Sequence, residues 1–248
     1  MKTRFLARPR KAFAVALLLP ALLIFAVGVA MAVAGFARFQ AEAFLTHWAE
    51  KALPPEARAW QVAEAAAQRS VGWYPVANGE YLDRLGRVYS WQFYQFPYGA
   101  AVMLPALPPE QAVVVEHSRR QALDAYRASV AVRPAWPDSW ARLAHAKLYL
   151  LQIDAEFGAA YARAAQLAFG RDEVNLELAE MGFFAWPSLT NGLREIALER
   201  GLRATDSGPR AARRVRQRAA QAGLVPQLCG RATPQQRMAI SLCRQEEG

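Results

Sequence analysis

Residues 131–144 read AVRPAWPDSWARLA, and this stretch decides the fold. One apolar run stops at Pro134 and another opens six positions later at Trp140. Pro134 lacks an amide hydrogen and biases Arg133 away from helical geometry, so a helix ends there. Asp138 or Ser139 can cap the helix that follows. The stretch therefore reads as a joint between two helices.

Ala122, Tyr126 and Ser129 lie upstream of the joint, and Leu143 and Ala144 follow Trp140 downstream. Moving every position by 35 gives Phe157, Tyr161, Ala164, Phe169, Asn175, Leu178 and Ala179. Aromatic falls on aromatic at Tyr126 and Tyr161, small on small at Ser129 and Ala164, and Leu-Ala on Leu-Ala at Leu178 and Ala179. A period near 34 with large and small residues at these offsets is the signature of tetratricopeptide repeats. Two antiparallel helices approach closely only where a small residue on one meets a bulky residue on the other. Ala144 permits the approach, while Tyr126, Trp140 and Leu143 fill the space around it. A less regular copy lies upstream, where Leu82, Leu85, Gly86 and Tyr89 match the first-helix pattern and Pro75 and Asn78 form the preceding turn. The distance from Leu85 to Leu143 is about 24 residues too long for one period. The excess falls in the proline-rich, apolar segment 95–111, expected to be an insertion loop over the array.

The pattern fades after Leu178. It predicts a helix ending near Phe184, a turn at Trp186-Pro187-Ser188 and another helix to about Arg203. A capping helix runs from Pro209 to before Gly223, and a last short helix has Thr233 as N-cap and Pro234 at its first position. No segment alternates as a strand does. The expected fold is all-α, an N-terminal transmembrane helix followed by a tetratricopeptide-like solenoid. Its expected divisions are a basic tail (1–11), an anchor (12–37), a helical region with the first degenerate repeat (38–94), the insertion (95–111), repeats (112–203) and a capping helix with a C-terminal tail (204–248).

The segment 12–37 carries no charged residue and follows Lys2, Arg4, Arg8, Arg10 and Lys11. A hydrocarbon core about 30 Å thick needs about 20 apolar residues in a helix. Basic residues stay cytoplasmic, which places everything after Arg38 outside. A cleaved signal peptide competes with the anchor, because Ala32-Val33-Ala34 fits a small-x-small cleavage site, but the apolar run is long for one. Pro20 is tolerated within a membrane helix. Ala100–Leu107 is too short for a second span. The chain of 248 residues has a formal charge of +9, part of which is this basic N-terminus, and export leaves no role in nucleic-acid binding.

Cys229 and Cys243 are the two cysteines. An even count in an oxidising compartment points to a disulfide, with two unpaired thiols as the alternative. No CxxC and no nearby histidine supply further metal ligands. His47, His117 and His145 are dispersed, and His145 lies on a packed helix where a structural role is expected. Glu177/Glu180 and Asp154/Glu156 are helix-surface patterns. No phosphate loop, metalloprotease helix or nucleophile elbow appears, so no catalytic residue and no cofactor is expected.

Two surfaces could bind a ligand. Tyr89, Trp91 and Tyr94, with Phe93, Phe96 and Tyr98 and joined by Trp60 and Trp73, would stack on sugars or a partner, or else bury the insertion. Arg210, Arg213, Arg214 and Arg218 share a broad helical face without a balancing acid, suited to an acidic glycan, a lipid headgroup or an acidic protein. The alternative is a solvated cap, since terminal repeats need a polar outer face.

Residues 128–148, ASVAVRPAWPDSWARLAHAKL, following an N-terminal anchor, resemble the VpsP-like polysaccharide biosynthesis proteins, small tetratricopeptide-like proteins of bacterial exopolysaccharide synthesis. They also resemble the periplasmic helical segment of some O-antigen ligases and polymerases. The resemblance is strongest over 122–179 and rests on packing motifs. It implies a non-enzymatic scaffold on the bacterial inner membrane, N-terminus cytoplasmic and bulk periplasmic, serving surface polysaccharide synthesis or export through an envelope protein partner. Direct acidic-glycan binding and service to another envelope machine are the alternatives.

Overall fold

The computed structural model describes residues 7–51, 55–92, 109–240 and Cys243. Every regular element among them is helical, and no strand occurs there. The α-helices are α1 (Ala7–Lys51), α2 (Ala57–Trp73), α3 (Gly79–Ser90), α4 (Pro109–Val132), α5 (Pro137–Tyr149), α6 (Ala155–Leu167), α7 (Asp172–Ala185), α8 (Asn191–Thr205), α9 (Pro209–Gln221), α10 (Val225–Arg231) and α11 (Pro234–Ile240), with a 3-10 turn at Trp186–Ser188.

The joint at Pro134 forms as its chemistry requires. The Arg133 amide makes the last helical bond of α4, to the Ser129 carbonyl at 2.9 Å. The Trp140 indole then donates to the Pro134 carbonyl at 2.9 Å, so the second helix is tied back to the residue that ended the first. The expected cap is corrected: α5 starts at Pro137 with no side-chain cap. Ser139 instead donates to Asp83 at 2.8 Å, and Asp138 accepts from Arg171 at 2.7 Å. Other starts are capped by side chains. Asn78 accepts from the Glu80 and Tyr81 amides, and Thr233 and Gln236 cap each other reciprocally.

From α3 onward the helices pack in antiparallel pairs, α3 with α4, α5 with α6 and α7 with α8, while α5 also touches α7, α6 touches α8 and α7 touches α9. Contacts confined to neighbours in sequence belong to helix pairs stacked in order. Ala122, Tyr126, Ser129, Leu143, Ala144, Tyr161, Ala164, Leu178 and Ala179 are all buried at the pair interfaces, while Trp140 is half-buried and Pro134 exposed. Close approach is most acute at two glycines. A Cβ on Gly86 would sit 2.5–2.8 Å from the Tyr126 ring, and one on Gly182 would strike Ala197 and the Tyr161 hydroxyl. The two tyrosines are fixed differently: the Tyr161 hydroxyl donates to the Leu178 carbonyl at 2.6 Å, and that of Tyr126 lies 3.0 Å from the Ser90 hydroxyl.

Three boundaries differ from expectation. α4 begins at Pro109, within the segment expected to be insertion, and 93–108 lie outside the described residues. A further short helix, α10, occupies 225–231 before the last one. Most consequentially, α1 does not end with the anchor at residue 37. It continues to Lys51 as one helix of 45 residues, with Pro20 inside it. Ala41, Leu45 and Trp48 pack on Ala63, Ala66 and Ala67 of α2 and Val88 of α3, with Ala34 and Ala37 buried just before them. The two cysteines are joined: Cys229 and Cys243 form a disulfide with an S–S distance of 2.04 Å, tying α10 to the chain beyond α11.

Candidate functional site

The first helices of successive pairs run side by side with α1, and polar side chains bind each to the next. Arg84 of α3 contacts Glu42 of α1 at 2.6 Å and Glu80 at 3.0 Å, Arg87 reaches Glu42 at 3.2 Å, and Arg38 meets Glu80 at 3.1 Å. Arg142 of α5 meets Asp83 of α3 at 2.6 Å. Behind that pair, Ser129 donates to the Gly79 carbonyl at 2.8 Å and its hydroxyl lies 3.2 Å from that of Ser139. His145 of α5 meets Glu177 of α7 at 2.7 Å. Charge-assisted bonds of this kind are short and strong when water is largely excluded.

These links floor a groove with two continuous parts. The part nearer the helix starts is lined by Glu42, Glu80, Arg84, Arg133, Trp136 and Arg142 among others. The other is lined by Arg87, Ser90, Trp91, Tyr126, Arg142, His145, Tyr149 and Glu177. A stack of planar groups stands in the second part. The Arg119 guanidinium is 5.4 Å from the Tyr149 ring centroid, and Tyr149 lies parallel to His145 at 4.9 Å. Burial pushes the Tyr149 phenol up to about 12, with nearby Arg119 opposing. Burial also pushes the Glu177 carboxyl up, but the hydrogen bond and charge of His145 and the charge of Arg142 outweigh it and hold the group below the usual range. The groove is thus amphoteric: guanidinium, imidazole and carboxylate beside two aromatic rims.

The aromatic run does not gather on one face. Tyr89 is buried against Trp60 at 6.4 Å and accepts from Gln68 at 3.1 Å, so of its two expected roles it takes packing and not an open stacking surface. Trp60 itself donates to the Val88 carbonyl at 2.9 Å. Trp91 packs edge-on against Trp48 at 5.8 Å and lines the groove. Trp73 lies far from them, at the end of α2 and half-exposed, and Tyr94 lies outside the described residues.

The arginine face of α9 is also divided. Glu180 of α7 takes Arg214 on both oxygens at 3.0 and 2.8 Å, with Arg218 at 3.8 Å, and both arginines stay exposed while linking α9 to α7. Arg210 and Arg213 remain exposed, Arg213 bordering a hollow with Arg216, Asp206 and Gln236. All four arginines are exposed, and the acid that the stretch 208–223 itself lacks is supplied to Arg214 and Arg218 by Glu180. His145 does pack within the array as expected, but it also forms part of the groove floor.

Glu42, Asp83, Arg84, Arg87 and Arg142 were not singled out by sequence. Glu80 and Arg84 are four apart on one helix and readable as a pair. Nothing in sequence joins Glu42 to Arg84 or Asp83 to Arg142, because those pairings exist only once the helices stack. Among the described residues no three His, Cys, Asp or Glu side chains are grouped so as to hold a metal ion. Compared with protein-family models and with curated proteins, the chain matches none.

Proposed function

We propose that this is a membrane-anchored, extracytoplasmic scaffold of tetratricopeptide type that holds a protein partner in the groove of α1, α3, α5 and α7. The carrying observation is that α1 is both the one helix long and apolar enough to cross a membrane among the described residues and the first wall of that groove. A partner seated there is held at a set place relative to the bilayer. The motif around Pro134 supports the repeat type, and its resemblance to VpsP-like proteins supports a partner from surface polysaccharide synthesis or export in the bacterial inner membrane, with the bulk of the chain periplasmic. The groove side chains act by binding, and the proposed role is not enzymatic.

The test is crosslinking in intact cells, with the protein tagged at its C-terminus and captured from detergent-solubilised membranes. The proposal expects an inner-membrane glycosyltransferase, flippase, polymerase or exporter, lost on Arg87→Glu and retained on Arg213→Glu. Recovery of the protein alone in gentle detergent contradicts a scaffold. A second function, acidic-glycan binding, is supported by exposed Arg210 and Arg213. It predicts salt-sensitive retention on an acidic polysaccharide, abolished by Arg213→Glu.

A further inference from the structure

Helix direction places one edge of the scaffold beside the candidate span. Arg38 meets Glu80 in the first turn of α3, and Glu42 meets Arg84 and Arg87 further along, so α1 and α3 run parallel. Following α1 backward from Arg38 therefore leads past the α2–α3 turn and out of the packed array. Between Leu17 and Phe25 its large apolar side chains are exposed, and side-chain burial starts at Ala34. From Ala12 to Val33 the helix extends about 33 Å, close to the thickness of a hydrocarbon core. No spacer is left between that length and the packed domain.

The edge so placed is made of the turns that join successive pairs. In the α2–α3 turn Trp73 is 51% and Val76 67% exposed, and Tyr74 is braced edge-on against Tyr81 at 5.1 Å. The α4–α5 turn is adjacent, because Gly79 at the start of α3 touches Arg133. There two guanidinium groups approach the Trp136 ring, Arg133 at 3.7 Å and Arg171 at 5.5 Å from its centroid. Arg171 belongs to the α6–α7 turn, whose Phe169 is 85% exposed. Exposed tryptophan, aliphatic and arginine side chains at one level are the composition of a bilayer interface, where amphipathic rings sit among headgroups.

We propose that this edge, the α2–α3, α4–α5 and α6–α7 turns, rests on the lipid surface into which α1 inserts; this rests on α1 being a membrane span. The scaffold then lies with its helices upright on the membrane, held by both α1 and the edge. The opposite edge, with Leu151 in the α5–α6 turn, faces away from lipid.

The test uses the full chain reconstituted in vesicles of phosphatidylcholine and phosphatidylglycerol, with a photoreactive benzophenone amino acid placed singly at Leu22, Val76 or Leu151. All three side chains are exposed, and circular dichroism checks that each variant folds. Lipid adducts after irradiation are read by mass spectrometry. The expected result is abundant adducts at Leu22 and adducts at Val76 at least tenfold above those at Leu151. Adducts at Leu22 with Val76 no higher than Leu151, or Val76 crosslinked to protein in place of lipid, would overturn the proposal while leaving the span intact. Absence of adducts at Leu22 would overturn the span and the edge together.

Discussion

The two halves of α1 belong to one helix and are both rich in apolar residues, yet they meet different surroundings. Leu17, Leu18, Leu19, Leu22, Leu23, Ile24 and Phe25 touch little of the protein, whereas Ala34, Ala37, Ala41, Leu45 and Trp48 are buried in it. Charge separates them: 12–37 carries no charged residue, whereas Arg38, Glu42, Glu50 and Lys51 interrupt the second half, whose apolar side chains are confined to one stripe. The buried set recurs at three- and four-residue steps and begins with alanines, a stripe along which another helix can approach closely. The first half has large side chains all round, as a helix in lipid does. The packed half is thus marked by an apolar stripe among polar residues, and the exposed half by apolar residues on every side.

The largest effect should come from breaking the packed half. Trp48→Ala removes the ring that packs on Phe44 and Trp91 and is expected to cost about 3–5 kcal/mol, read as a shift in urea unfolding in mild detergent. Reducing the Cys229–Cys243 bond, or changing both residues to serine, opens a loop of about 15 residues and should cost about 3 kcal/mol. Its loss should fall on α10 and α11, with hydrogen exchange at Ala63–Ala67 unchanged, because those elements lie at the other end of the stack. Gly182→Ala forces a methyl group against Ala197 and Tyr161 and should cost about 1–3 kcal/mol, seen as a lowered thermal midpoint.

Acid should loosen the stack modestly. Glu156 is held by hydrogen bonds from Arg127, opposed by burial and aided by Lys147, and its carboxyl falls from an ordinary 4.5 to about 2. A depressed carboxylate contributes stability that is complete above its unfolded value and disappears as pH falls through its folded one. Unfolding midpoints should therefore decline between about pH 4.5 and 2, and less so in Glu156→Gln. Glu177 is shifted in the same direction and adds to the decline. The smallest effect is expected in the free half of α1: Leu22→Ala should change urea stability by less than about 0.5 kcal/mol.

The joints were legible because they rest on local chemistry. Pro134 follows the last turn of α4 and Thr233 caps the last helix, both as local chemistry predicts, whereas the Asn78 cap and the Gly86–Tyr126 contact came only with the structure. The continuation of α1 was also written in the sequence, in the spacing Ala34, Ala37, Ala41, Leu45 and Trp48, but the charge-free run masked it by offering a simpler boundary at residue 37. The groove was not legible. Its ion pairs join residues such as Glu42 and Arg84, or Asp83 and Arg142, whose separation matches no helical period. Likewise the arginines of α9 look alike along the chain, and only the position of Glu180 on α7 decides that Arg214 and Arg218 gain a carboxylate partner.

The central claim is that one unbroken helix carries the scaffold out of the membrane. The direct measurement is a spin-label distance between Ile24 and Thr46, both exposed, in the reconstituted full chain, with labels attached through non-cysteine chemistry to spare the disulfide. A continuous helix predicts one narrow peak near about 33 Å. A broad distribution, or a peak well away from that distance, would mean that the span and the scaffold are hinged and would contradict the account.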